Sequence, residues 1–308
     1  MRQIFTIGES LYDIIFKDGR PHEGKPGGAM LNSSVSLGRA GLPVSFISEY
    51  ADDETGNLID AFLVDNGVGN KFIRRYSDGK TALAIAVLNE KNDASYTFYK
   101  DYPEHRLQME FPRVQADDIV LFGSIYAITK EIRARLVQFI STSAKNGAIV
   151  IYDPNFRTAH APGLARLKPL ILENMQMSAI VRGSDEDFRN IFQAESPDSA
   201  WSVVGNYSPC LVYTASADAV YVRTAGFSGM FPVRKITPVS TIGAGDNFNA
   251  GMIAAIYRAG IKKDELEMMG EEVWHSVITA GMDFATDVCM SYENYISREL
   301  AGKYRGGT

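Results

Sequence analysis

Two cysteines, Cys210 and Cys289, are all that the 308 residues contain. They are too few for a disulfide framework and too scattered for a zinc site. No apolar run exceeds Ala82–Leu88, far short of the roughly 18 residues that suggest a membrane span. The opening Met1-Arg2-Gln3-Ile4-Phe5-Thr6-Ile7 meets Gly8 and Glu9 without the apolar core of a secretion signal. Basic clusters are also missing, and 31 Lys and Arg against 37 Asp and Glu give a formal net charge of −6. That balance argues against nucleic-acid and membrane partners. The remaining composition, 45% hydrophobic and 22% charged, is that of a soluble globular protein. A chain this long buries about three quarters of its unfolded surface and needs no covalent staples. The expectation is a cytoplasmic protein of a size usual for enzymes.

Short apolar runs alternate with amphipathic segments. Ile4–Gly8, Val44–Ser48, Ile119–Gly123, Ala148–Tyr152, Ala179–Val181 and Leu211–Thr214 read as strands. Ala29–Ala40, Thr55–Asp65 and Lys130–Lys145 read as helices, each stopped by Gly or Asn-Gly. From Gly243 onward the chain reads as mostly helical. This alternation predicts an α/β fold, a doubly wound and mostly parallel sheet covered by helices. Two stretches break the pattern. Segments of about 11–26 and 72–101 hold extended runs without intervening helices, with Asn89-Glu90-Lys91-Asn92-Asp93 as a turn between Ala82–Leu88 and Tyr96–Tyr99. They predict a small second sheet that serves as a lid or a partner surface. No linker divides residues 1–308, so one domain is expected.

Gly19-Arg20-Pro21-His22-Glu23-Gly24-Lys25-Pro26 nearly spells a phosphate-binding P-loop. Two prolines remove amide donors, and Pro26 stands where a magnesium-binding hydroxyl belongs. The stretch reads instead as a Gly/Pro-rich loop.

Chemistry concentrates in Ser240-Thr241-Ile242-Gly243-Ala244-Gly245-Asp246-Asn247-Phe248-Asn249-Ala250-Gly251. A small-residue turn opens a helix there, and free amides at a helix N-terminus favour an anion. Asp246 sits beside that anion site. Amides that hold a migrating phosphoryl group, beside a carboxylate that accepts a hydroxyl proton, suit phosphoryl transfer. The same residues also suit a capped helix in which Asp246 only complements the dipole.

This segment resembles the C-terminal signature of the ribokinase-like, PfkB-type carbohydrate kinases. The N-terminal signature is matched by Gly27-Gly28-Ala29-Met30-Leu31-Asn32 and the helix ending Leu37-Gly38-Arg39-Ala40-Gly41. Gly8-Glu9-Ser10-Leu11-Tyr12-Asp13, Asp52-Asp53-Glu54-Thr55-Gly56 and Asp153-Pro154-Asn155-Phe156-Arg157 are further family-like features, in the right order along the chain. The resemblance implies a ribokinase-like fold and transfer of the γ-phosphoryl group of ATP, with Mg2+, to a primary hydroxyl of a small sugar. It makes Asp246 the base and Gly243, Ala244 and Gly245 the anion hole. Asp13, Gly28 and Asn32 would contact sugar hydroxyls, a task that suits a carboxylate and an amide. Asp13 also reads as a strand-end turn residue, and Asn32 as a solvent-facing helix residue.

Several positions depart from the family. Ser240 replaces an aspartate, which leaves a monovalent-cation site open to question. Ser184-Asp185-Glu186-Asp187 replaces Asn-x-x-Glu. Ser184 is then either a nucleotide-side residue, with Asp187 ordering metal-bound water, or an N-cap. The nucleotide loop becomes Thr214-Ala215-Ser216-Ala217-Asp218-Ala219, without its glycines and with Asp218 near the phosphates. Tyr96, Phe98 and Tyr99 on the lid would stack on a sugar or pack within the lid. Arg157 would reach the substrate, hold a carboxylate, or orient an acidic neighbour. The opening and the Arg182–Asp187 stretch most resemble fructokinases. 2-Keto-3-deoxygluconate kinase and ribokinase-type kinase stand as alternatives, with a non-catalytic sugar binder as a different class. The lid would also support a homodimer.

Overall fold

The computed structural model describes residues 1–88 and 94–306. Its strands are β1 (Ile4–Ile7), β2 (Leu11–Lys17), β3 (Arg20–Gly27), β4 (Val44–Ala51), β5 (Ile73–Tyr76), β6 (Lys80–Leu88), β7 (Ala94–Asp101), β8 (Ile119–Gly123), β9 (Ile149–Asp153), β10 (Ile180–Ser184), β11 (Cys210–Ala215), β12 (Ala219–Thr224) and β13 (Ser228–Pro232). The α-helices are α1 (Ala29–Arg39), α2 (Glu54–Asp65), α3 (Arg133–Lys145), α4 (Leu164–Gln176), α5 (Asp185–Phe192), α6 (Pro197–Val204), α7 (Ala244–Arg258), α8 (Glu271–Cys289) and α9 (Arg298–Gly306). The turn expected at Asn89-Glu90-Lys91-Asn92-Asp93 lies outside the described residues.

Among the described residues, nine strands form the main sheet in the order β13-β12-β11-β10-β9-β8-β1-β4-β5. Every pairing from β5 to β11 is parallel, and β12 and β13 add an antiparallel edge. Alternate side chains feed two cores, because successive strand residues point to opposite faces. Ile4, Ile119, Leu121, Ile149 and Ile151 pack with helical residues such as Val35, Ile253 and Trp274. Phe5, Ile7, Val120, Phe122 and Val150 face Leu136, Met175, Phe188 and Val204 on the other side. Burial on both faces explains why these strands read as continuous apolar runs. The doubly wound sheet expected from the sequence is therefore present.

Most boundaries fall where the patterns placed them. The third helix starts at Arg133 rather than Lys130, after a turn. The strand expected at Ala179–Val181 continues through Arg182 and Gly183 to Ser184. A charged residue ended the apolar run in sequence, but Arg182 is buried through an ion pair and does not end the strand.

The four remaining strands form the smaller sheet, in the order β3-β2-β6-β7. Asp18 and Gly19, both with positive φ, make the tight turn between β2 and β3, the geometry a two-residue hairpin favours. The stretch 19–26, expected to be a loop, is in fact largely strand β3. Pro21 and Pro26 are tolerated there because β3 is an edge strand. The segment is thus no phosphate-binding loop, as its prolines indicated.

Polar ties fasten the small sheet to the large one. Asp53 caps α2 through the Gly56 amide and accepts bonds from the Thr81 amide and hydroxyl on β6. Glu9, just past β1, takes two bonds from Lys100 on β7 at 2.7 and 2.9 Å and one from the Tyr102 hydroxyl. Lys25, buried on β3, donates to the Tyr292 carbonyl at 2.6 Å. Among the described residues, no helix is long and apolar enough to cross a membrane.

The hairpin between β11 and β12 turns through Ser216 at φ +46°. That left-handed conformation costs a non-glycine residue roughly 1–2 kcal/mol. Ser216→Gly is expected to stabilise the fold by about 1 kcal/mol, read as a higher midpoint in denaturant unfolding with an unchanged slope.

Candidate active site

Parallel strands bring the loops at their C-terminal ends to one edge of the sheet, where ligands bind in open α/β folds. Glu9 follows β1 there, Asp153 ends β9, Ser184 ends β10 and Thr214 lies near the end of β11. The N-termini of α1 and α7 converge on the same edge. Asn32 on α1 donates to Asp246 Oδ2 on α7 at 2.9 Å. The Ser33 hydroxyl donates to the Asp246 carbonyl at 2.7 Å, and Ser36 donates to Asn247 Oδ1. The run Asn32-Ser33-Ser34-Val35-Ser36 is buried throughout. It forms a polar seam between the helices, and Asn32 faces the site rather than solvent.

Gly243 opens α7 with φ +79°, and a Cβ there would stand 3.0 Å from the Asn294 carbonyl. Asn247 Nδ2 holds the turn, donating to the Gly243 carbonyl at 2.7 Å and the Asn294 carbonyl at 2.8 Å. Among the described residues no side chain caps α7; the Ala244 amide donates to the Thr241 carbonyl at 3.3 Å, and the amides that follow it, with the positive end of the dipole, are left for an anion. Asp246 lies in this first turn with 8% exposure. Burial drives its carboxyl up to about 7. The Asn32 hydrogen bond, Arg182 and Arg157 pull the other way, and Asp153 adds to the rise.

Asp13 lies inside β2, opposite Lys25 on β3, so it is not the strand-end turn residue the sequence also allowed. Burial raises it to about 6 against the opposing pull of Lys25. Gly28 immediately precedes α1 with φ +130°, and a Cβ there would strike the Glu9 carbonyl at 2.3 Å. Tyr96 and Phe98 stack on each other at 6.0 Å on β7, and both are exposed, as is Tyr99. Asp13 raises the Tyr96 hydroxyl electrostatically, after the larger effect of burial. Arg157 pairs with Glu186 at 3.3 Å and remains largely exposed.

Several of the side chains expected on the nucleotide side are already engaged within the protein. Ser184 and Asp187 form a capping box at the start of α5. Asp187 Oδ2 accepts from the Ser184 amide and hydroxyl at 2.7 and 2.6 Å, and Oδ1 accepts from the Phe156 amide at 2.5 Å. Thr214 is buried, accepts from Arg182 at 2.9 Å and donates to the Gly183 carbonyl at 3.3 Å. Ser216 and Asp218 are exposed on the hairpin. Ser240 accepts from the Ile242 amide, and its own amide donates to the Cys289 carbonyl.

Arg182, Asn249 and Lys25 received no site role from the sequence. A lone charge in the apolar run Ile180-Val181-Arg182 was the available signal for the first. Nothing local marks the others, whose partners are distant in sequence.

Because Asp246 has a raised pKa, its contribution to stability is full below its ordinary 3.8 and is lost as pH rises through about 7. At pH 8 the buried charge is a burden. Asp246→Asn is therefore expected to unfold at higher denaturant than the wild type at pH 8, by on the order of 4 kcal/mol. The difference should shrink as pH falls toward 4.

Comparison with known proteins gives the family and the fold. The family model described as pfkB family carbohydrate kinase matches residues 1–271. The probable chloroplastic fructokinase-6 of Arabidopsis thaliana is 27% identical over 267 residues, covering 82% of this chain and 70% of that protein. Among solved structures, fructokinase with bound ATP from Xylella fastidiosa superposes with a TM-score of 0.84 at 20% identity, over 99% of this chain and 98% of that one. A fructokinase double mutant from Vibrio cholerae O395, bound to fructose, ADP and a potassium ion, gives 0.82 at 18% identity, over 99% and 98%. Matched along most of its length and folded as the signature motifs require, the chain belongs to the pfkB family of carbohydrate kinases.

Proposed function

We propose that this protein is a fructokinase, transferring the γ-phosphoryl group of ATP to a primary hydroxyl of fructose. The observation that carries the reading is Asp246, a buried carboxylate in the uncapped first turn of α7, aligned by Asn32 at 2.9 Å. In the reaction the sugar oxygen attacks the γ-phosphorus and its proton passes to an Asp246 carboxylate oxygen. The bond from that phosphorus to the departing ADP oxygen breaks as the new one forms. Amides of Gly243, Ala244 and Gly245 take up charge on the migrating group. Asp13 accepts hydrogen bonds from sugar hydroxyls, and Gly28 lets the sugar approach the backbone.

Mg2+ would neutralise phosphate charge when it arrives with ATP, its usual manner of binding. Among the described residues no three acidic, histidine or cysteine side chains gather to hold a metal. Asp187, expected to act through water, has both oxygens committed to the capping box and the Phe156 amide. The donor set therefore does not build a protein-held metal site. Thr214 and Ser216 lie on the ATP side of this reading, with Ser184 serving as the helix cap that shapes it. A monovalent cation near Ser240 has no charged ligand from that residue. The free, buried Cys210 and Cys289 suit a reducing, cytoplasmic setting. The exposed edge strand β7, with Tyr96, Phe98 and Tyr99, supports pairing of the lid with a second copy.

A coupled ADP-release assay with fructose, ribose, adenosine and 2-keto-3-deoxygluconate tests the substrate. Fructose is expected to give the highest kcat/KM. Preference for the keto acid would give Arg157 a carboxylate-binding role, and silence with all four would favour the non-catalytic binder.

Asp246→Asn should lower kcat about 10²–10⁴-fold, the usual value of a general base, with little change in either KM. Retention of more than about a third of wild-type kcat, with chemistry rate-limiting, would remove Asp246 from the role of base. In the wild type, kcat/KM should fall as pH drops below about 7, where Asp246 takes up a proton. The sugar KM should rise as pH falls below about 6, where Asp13 does the same.

A further inference from the structure

Beneath the glycine turn lies a buried ion pair that the reaction above does not use. Arg182, at 8% side-chain exposure, donates from Nη1 to Asp153 Oδ2 at 2.9 Å; Asp153 is 2% exposed. Nη2 donates to Thr214 Oγ1 at 2.9 Å, and Nε has no partner among the described residues. The guanidinium reaches the underside of the anion turn: a Cβ on Gly245 would stand 2.8 Å from Nη1. Its Cζ lies 5.3 Å from the ring centre of Phe248, two residues beyond Asp246. Asp153 Oδ2 also accepts from Asn249 Nδ2 at 2.6 Å. Thus both partners of the pair touch α7 within its first two turns.

Desolvating two charges is expensive, and an ion pair is often matched or bettered by well-packed apolar residues. Packing alone therefore gives little reason for this pair. We propose that Arg182 and Asp153 are positioning residues for the catalytic base: Arg182 braces the Gly243–Gly245 turn from below, Asp153 anchors α7 through Asn249, and together they set the charge balance around Asp246. The inference rests on Asp246 being the base. The groups that act on the Asp246 charge are Asn32 from α1, by a hydrogen bond, and Asp153 from β9, Arg182 from β10 and Arg157 from the loop after β9, electrostatically. Asp187, on α5, faces the pair itself, being influenced by both Asp153 and Arg182.

The test is the pH dependence of kcat/KM. Asp153→Asn keeps the shape of the side chain, deletes one negative charge beside Asp246 and leaves Arg182 in place. Its acid limb should move to lower pH by about one pH unit, as expected for a neighbouring charge. The double variant Arg182→Gln with Asp153→Asn removes both charges and should return the limb toward its wild-type position. Arg182→Lys keeps the charge but loses the planar fork, so the limb should stay while kcat falls about tenfold or more through misplacement of the turn. Melting curves and ATP binding establish that each variant is folded.

An unmoved limb in folded Asp153→Asn, or a limb that stays displaced in the double variant, overturns the proposal. Should Asp153→Asn fail to fold, the double variant decides, because it leaves no buried charge of the pair unpartnered. It must lose at least about tenfold in kcat at the wild-type limb position, and full kcat would overturn the proposal. The base reading fails separately, through an Asp246→Asn enzyme that retains activity.

Discussion

The architecture around the site depends on keeping one carboxylate out of water. Burying Asp246 on α7 is costly, because transfer of an ion into an apolar interior is strongly unfavourable, and nearby groups offset that cost in part. Three kinds of group do so here. Asn32 donates directly, the uncapped end of α7 offers its dipole, and Arg182 supplies a buried cation. Each requires an element held in register: α1 alongside α7, the Gly243 turn at its left-handed angle, and β10 extended past its apolar run. The serines of α1 follow from the same requirement, since a purely apolar seam would not fix the axial position of one helix against the other.

The lid obeys a different logic. Its inner surface is small and mostly alanine, with Leu11, Ala82 and Ala84 as its buried core. So little apolar area cannot fix a four-stranded sheet by itself. Charged and polar ties do that work instead: Asp53 with Thr81, Glu9 with Lys100 and Tyr102, and Lys25 with the Tyr292 carbonyl. Arg106 extends the network, pairing with buried Glu49 and lying 3.5 Å from the ring centre of Tyr102. Such contacts are directional and break at a smaller cost than a packed core. A small sheet held in this way can therefore be both well placed and separable.

The sequence revealed those parts whose cause is local. Apolar runs between Gly and Asn stops reported the parallel sheet, because doubly buried strands and capped helices write themselves into adjacent residues. The glycine turn before Asp246 was legible for the same reason, as were the helix-free segments that supply the small sheet, except that Ile73–Tyr76 of the expected segment 72–101 pairs with β4 in the main sheet instead. Strand β3 was misread because its prolines signal a loop unless the strand is known to be an edge, and edges are a property of the assembled sheet. Arg182 was missed because its partner, Asp153, lies 29 residues away, and Lys25 and Tyr292 are 267 residues apart. Ser184 presents the opposite case. The sequence left it between a nucleotide contact and a helix cap, and the capping box shows how fully a cap occupies its hydroxyl.

A base whose pKa lies near 7 is only partly ionised at neutral pH. An anion bound at the end of α7 favours proton uptake by Asp246 to the extent that its charge is not neutralised by an accompanying cation, since a second negative charge nearby favours the neutral acid. Complex formation is consequently linked to the solution's own acid–base equilibrium. The heat measured on adding nucleotide contains the ionisation enthalpy of whichever buffer supplies the proton, and the apparent affinity carries a pH slope although the nucleotide itself does not change. Calorimetry in two buffers of different ionisation enthalpy would count those protons, making the burial of one side chain visible as a stoichiometry.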